Sequence, residues 1–194
     1  TEDGLHLIEG TKMARVYAKP GVDLSTYNRI YLVKPFVSFK KDWKREQNLI
    51  PNRTVTNEDM QRIKADLADL FMEVFRQELQ DKGGYQTVEE VADDVLVVRP
   101  AIVQLNVISP YSPRNPRDRS AIASAGAMTL YMELLDSVTS DKLVMAIDNK
   151  YDRSIPSNFR SDQKRNEQVA RELLGEWAEL LRLALDEAHA MVKP

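Results

Sequence analysis

The stretch TNEDMQRIKADLADLFMEVFRQELQDKGG, residues Thr56–Gly84, and the apolar run VLVV at Val95–Val98 decide the fold. Met60, Ile63, Leu67, Leu70, Phe71, Val74 and Leu79 recur at three- and four-residue spacing, which places them on one stripe of a helix that must lie against a sheet. Thr56 stands before the stripe, where its hydroxyl can cap the first free amides. Asp59, three residues on, holds the capping-box position and complements the helix dipole. Gly83-Gly84 supplies a left-handed stop. The run at Val95 is apolar at consecutive positions, as in a strand buried on both faces. A helix set between two strands in this way is a crossover, and its flanking strands should run parallel.

The flanking segments extend this unit. Thr1–Gly10 reads as a loosely ordered terminus. Lys12–Ala18 alternates as a half-buried strand and ends at the turn signal Pro20-Gly21. Arg29–Phe39 reads as a second strand, with Pro35 marking a bulge or an edge. Lys40–Arg53 is a polar, basic connection. After the first helix come a short strand at Tyr85–Val88 and a long one at Asp94–Ser109. A proline-rich loop is next, with Pro110, Pro113 and Pro116. Ala125–Val138 and Lys142–Asp152 form a hairpin about Thr139-Ser140-Asp141, with Asp136 placed to accept the turn amides. Ser161–Met191 is a second long helix, striped by Val169, Leu173, Trp177, Leu180, Ala184 and Leu185 and widened by Leu174 and Leu181. The expectation is one α/β domain spanning residues 1–194: a mixed sheet of five or six strands with two long helices covering mainly one face.

Composition fits that size. A chain of 194 residues can bury about 70% of the surface its unfolded form exposes, enough for a single core. With 27 basic against 30 acidic residues, no global field favours nucleic acid or an anionic membrane, and nucleic acid is not expected as a partner. The chain has no cysteine, which excludes disulfides, thiolate metal sites and cysteine nucleophiles within it and suits an oxidising compartment. No apolar run approaches the roughly 20 residues that span a bilayer. Thr1 is not an initiator methionine, which fits removal of a signal peptide or a tag, or an artificial boundary.

No catalytic motif stands out. His6 and His189 lie at opposite ends without ligand spacing. Ser124-Ala125-Gly126 is the nearest approach to a nucleophile elbow and fails the pattern. Gly83-Gly84 comes after a helix instead of opening one, so it cradles no phosphate. Asp93-Asp94, Asp136 and Asp148 are candidate acid–base or cation residues, with strand-opening and turn roles as the alternative. No catalytic residue, metal or cofactor is therefore assigned. The candidate site is a partner-binding patch made by two loops. One carries Lys40, Lys41, Lys44 and Arg45, with Arg53 beyond, around Trp43; the other carries Arg114, Arg117 and Arg119 around Tyr111. Brought to one edge, they would receive phosphate, carboxylate or an acidic protein surface. The alternative is two solvated loops whose charge Asp42, Glu46 and Asp118 blunt.

Several segments in order resemble the bacterial lipoproteins grouped under domain of unknown function 3313. They are Asp3-Gly4-Leu5, the run Val16–Tyr27, Phe39–Trp43, Asp94-Val95-Leu96 with Arg99–Val103, Ala123–Leu130, and Leu134–Thr139. The likeness covers nearly the whole chain. It implies a signal peptide and a lipid-modified cysteine upstream, hence a domain anchored at the periplasmic face of the Gram-negative envelope, on the outer membrane. Many members of that family look to have glycine after the Ser-Val-Thr turn, where this chain has Ser140-Asp141. The pattern is also similar to other envelope lipoproteins with small α/β domains, including outer-membrane activators of peptidoglycan synthases, a likeness of fold and not of function. The functional expectation is a non-enzymatic envelope domain that binds another envelope protein or assembly. Two alternatives remain: a carboxylate-dependent hydrolase, and a binding module for an anionic glycan or lipid headgroup.

Overall fold

A computed structural model describes residues 4–107, 125–151 and 163–191. The chain runs β1 (His6–Ile8), β2 (Arg15–Ala18), β3 (Arg29–Leu32), β4 (Phe36–Phe39), α1 (Trp43–Asn48), α2 (Asn57–Arg76), a π-helical extension (Gln77–Lys82), β5 (Gln86–Thr87), β6 (Val95–Val107), β7 (Ala125–Asp136), β8 (Lys142–Tyr151) and α3 (Gln163–Ala190). The strands form one mixed sheet in the order β1-β2-β8-β7-β6-β3-β5, and β4 also pairs with β6, beyond β3. β3 runs parallel to both β5 and β6, as the crossover through α2 requires, and the β6–β7–β8–β2–β1 half is antiparallel.

The sheet has eight strands, where the sequence predicts five or six. One extra strand is β1: the opening segment, expected to be loose, pairs antiparallel with β2, and Leu5 before it is buried. The other comes from a break in the expected strand Arg29–Phe39. Leu32 faces Val98 and Phe36 faces Ala101, so four steps on this side match three on β6. Pro35 offers no amide to the ladder, and the extra residue is accommodated there. Because side chains alternate, one added residue reverses the faces. Phe36 points away from the helices, 65% exposed, while Val37 enters the core at 5%. β6 repeats the device at Gln104, whose φ is +55°, and this turns Leu105 and Val107 inward.

α2 begins where its cap predicts. The Thr56 hydroxyl accepts from the Asp59 amide (3.1 Å), and the Asp59 carboxylate accepts from the Thr56 amide (2.9 Å). The stripe residues Ile63, Leu67, Leu70, Phe71, Val74 and Leu79 are all buried, each worth about 1.5–3 kcal/mol relative to exposure. Two glycines end the helix for different reasons. A side chain at Gly83 would meet the Leu79 carbonyl at 2.6 Å, and Gly84 takes φ +75°. On α3, Leu174, Trp177, Ala178, Leu181 and Leu185 face the same core as the α2 stripe and the inward residues of β6 and β7. The two helices lie side by side and are joined by Arg171 to Glu73 (2.9 Å) and Arg182 to Glu78 (2.8 Å). No helix among the described residues is long and apolar enough to cross a membrane.

Candidate functional site

β4 delivers the chain to the C-terminal end of β6, where the Lys40 amide donates to the Leu105 carbonyl (3.0 Å). The next residues, expected to form an irregular connection, make the short helix α1. Its first residue, Trp43, is only 1% exposed. Its ring stacks on Phe39 with centroids 4.1 Å apart, and its indole N–H donates to the Val107 carbonyl (3.0 Å). This corrects the expectation for Trp43. The ring does not offer an aromatic face to a partner, because it anchors α1 to the end of β6 and saturates a carbonyl there.

The cations around it do reach the surface, with unequal freedom. Lys40 pairs with Glu46 (2.6 Å), and Arg45 stands 3.8 Å from Asp42 with its side chain 74% exposed. Ion pairs this open are worth about 0–1 kcal/mol and leave the cation available. Lys44 donates to the Asn57 amide oxygen (2.7 Å), a neutral partner. Lys41 is exposed. The other half of the expected patch, Tyr111, Arg114, Arg117 and Arg119, lies outside the described residues. Val107, the last described residue before that segment, is the residue that receives the Trp43 indole.

Sequence reasoning missed the loop that leaves α1. The Asn48 side chain bonds Val55 in both directions, donating to its carbonyl (3.2 Å) and accepting from its amide (2.6 Å). The intervening loop is thus closed at its base, and it turns through Asn52 at φ +61°. It presents Leu49, 77% exposed, and Ile50, 42% exposed. Arg45 and Leu49 are one helical turn apart and share a face. The signal in the sequence is the apolar pair Leu49-Ile50 directly before Pro51, outside any helical or strand period.

Three of the candidate acid–base groups, Asp94, Asp136 and Asp148, have structural partners, and Asp93 is exposed. Asp94 holds Arg29 through two contacts, 2.8 and 2.6 Å, and the guanidinium keeps that carboxyl below the usual range. Arg29 also pairs with Glu90. Asp136 accepts the amides of Thr139 (2.7 Å) and Val138 (2.9 Å) and the Tyr27 hydroxyl (2.8 Å). Those donors, the Thr139 amide foremost, hold its pKa down, while burial and Asp136 push Tyr27 up. Asp148 accepts the Trp177 indole (2.8 Å) and the Ala14 amide (3.0 Å). His189 bonds the Leu185 carbonyl (2.8 Å) on its own helix. Among the described residues no group of three His, Asp or Glu side chains is placed to hold a metal ion.

The architecture is that of an α/β domain: an eight-stranded mixed sheet, two long helices on one face, and a clamped loop with an apolar tip and cationic flanks at the sheet's end. The chain belongs to the family described as protein of unknown function DUF3313, whose pattern matches residues 7–181. No functionally curated protein matches it. Among solved structures, a PelC dodecamer from Paraburkholderia phytofirmans is similar at 13% identity, with 86% of this chain and 96% of that one covered and a TM-score of 0.42. A DUF4136 family protein from Bacteroides thetaiotaomicron is similar at 11% identity, covering 96% and 97%, with a TM-score of 0.40. The rare lipoprotein B of Shewanella oneidensis is similar at 11% identity, covering 86% and 100%, with a TM-score of 0.32. All three are distant in both sequence and shape.

Proposed function

We propose that this chain is the globular, non-catalytic domain of a lipid-anchored protein of the bacterial envelope, and that the α1 end of the sheet docks an acidic surface of another envelope protein. The observation that carries the docking reading is the clamped loop. It displays Leu49 and Ile50 at the end of the short helix that carries Lys44 and Arg45 and follows Lys41, an apolar tip one helical turn from the exposed Arg45. Exposed apolar side chains cost little when their loop is already ordered before a partner arrives, so binding there loses less conformational entropy. The cations contribute orientation and rate of encounter more than affinity. The envelope location and the anchor rest on the family likeness. The non-catalytic reading is supported by the roles of Asp94, Asp136 and Asp148, which serve an ion pair, a hairpin turn and a buried indole respectively.

The test uses the full precursor with its anchor in living cells, carrying a photo-crosslinking residue at Leu49. The expected result is one envelope protein captured, lost when Lys41→Glu and Arg45→Glu are combined. Capture of cytosolic proteins alone overturns both location and surface. Crosslinks to anionic glycan or lipid in place of protein favour the headgroup-binding alternative.

A further inference from the structure

Two helices side by side cover about 20 Å of a sheet face. Seven strands abreast span about 29 Å. α2 and α3 therefore cannot cover the whole inner face: α2 packs against β4, and α3 packs against β7 and reaches β8 through Trp177 and Asp148. At the β2–β8 end the floor consists of the small inward side chains Val16, Ala18, Val144 and Ala146. The C-terminal half of α3 rises beside them as a wall through Leu181, Ala184 and Ala188. Between floor and wall lies a half-enclosed cleft of about 380 Å³. Met132 lines it from β7, and Met13 and Met191 line it from outside the sheet.

The lining selects the occupant. Nearly every group is aliphatic carbon or thioether. The ladder groups of β2 are engaged by β1 on one side and β8 on the other. An extended peptide laid here would bury amides and carbonyls with no partners, at a cost of several hydrogen bonds. An unbranched hydrocarbon asks only for apolar contact, and the unbranched methionine side chains adapt to its shape. At about 30 Å³ per group, the share a water molecule takes in the liquid, the cleft holds roughly a dozen methylenes. Asp23 is the single ionisable residue among those lining it. It accepts the Ser25 amide (2.9 Å) and hydroxyl (2.6 Å), which favour its ionised form. A head group at that mouth meets a negative charge.

We propose that this cleft binds a single unbranched acyl chain of about a dozen carbons carrying a neutral or cationic head group. The site is separate from the α1 loop, so its failure would leave the docking reading standing.

The test is methyl NMR of the intact chain with labelled methionines. The probes share a twelve-carbon chain: lauroylcholine, monolaurin and laurate, each below its micellar concentration. Lauroylcholine and monolaurin should shift Met13, Met132 and Met191 and leave Met60 and Met72 on α2 unmoved. Laurate at pH 7 should bind about tenfold more weakly than lauroylcholine, and Asp23→Asn should narrow that gap. Ala184→Phe fills the cleft from the exposed side of α3 and should abolish the shifts without changing thermal unfolding. Absence of shifts overturns the proposal, as does their spread to Met60 and Met72, or equal binding of laurate and lauroylcholine. Shifts that appear on raising protein concentration without any probe would assign the cleft to a second copy instead, and would overturn it too.

Discussion

Asp148 ties three separate segments together, and its removal has a calculable cost. Its carboxylate, on β8, accepts the indole N–H of Trp177 from α3 at 2.8 Å and the amide of Ala14, just before β2, at 3.0 Å. Trp177 is fully buried, so Asp148→Ala strands an indole donor where water cannot reach it, a penalty of about 1–3 kcal/mol. Ala14 is exposed, and its amide can recover water, which adds about 1 kcal/mol at most. Part of the loss is returned because a mostly buried charge no longer has to be desolvated. The expected net is about 2–3 kcal/mol. For a chain of 194 residues that lowers the melting temperature by about 5–10 °C. Urea unfolding should show a lower midpoint at unchanged slope. In a Trp177→Phe background no indole remains to be stranded, and the same substitution should cost about 1 kcal/mol. A cost within about 0.5 kcal/mol of zero in the wild-type background, or one undiminished by Trp177→Phe, refutes the reasoning.

Ser140 sits in the hairpin turn at φ +62°, a conformation glycine adopts without strain, so Ser140→Gly should raise stability by about 0.5–1 kcal/mol in urea titration. The bulge at Pro35 makes neighbouring residues opposite in tolerance. Phe36→Ser should change stability by about 0.5 kcal/mol or less, whereas Val37→Asp should cost several kcal/mol and give little folded protein by circular dichroism. Asp136 and Glu133 both have folded pKa values below their ordinary 3.8 and 4.5. For Glu133, burial opposes the shift and the neighbouring Lys142 and Arg99 outweigh it. Each therefore contributes stability that is fully present above its ordinary value and lost as pH falls through the folded one. The urea midpoint should stay level with respect to these groups from about pH 7 to 5 and drop below about pH 4.5, less steeply in Asp136→Asn.

Local chemistry carried much of the fold into the sequence. The capping pair Thr56 and Asp59, the stripe of α2, the Gly83-Gly84 stop and the turn built on Asp136 each depend on residues within a few positions of one another, so their spacing suffices to read them. The parallel pairing across α2 comes from connectivity. The bulges were half legible: Pro35 flagged one, but nothing in the Gln104 neighbourhood announces a left-handed residue. The burial of Trp43 and the pairing of β2 with β8, across more than a hundred residues, were not legible, because they depend on which strands become neighbours. Lateral order is set by global packing of two helices on a wider sheet. That mismatch in width leaves the β2–β8 floor open, and the β4–β6 register places the Leu49–Ile50 loop at the sheet's end. Charge and hydropathy could nominate the basic loop, but only the tertiary arrangement separated its buried anchor from its exposed tip.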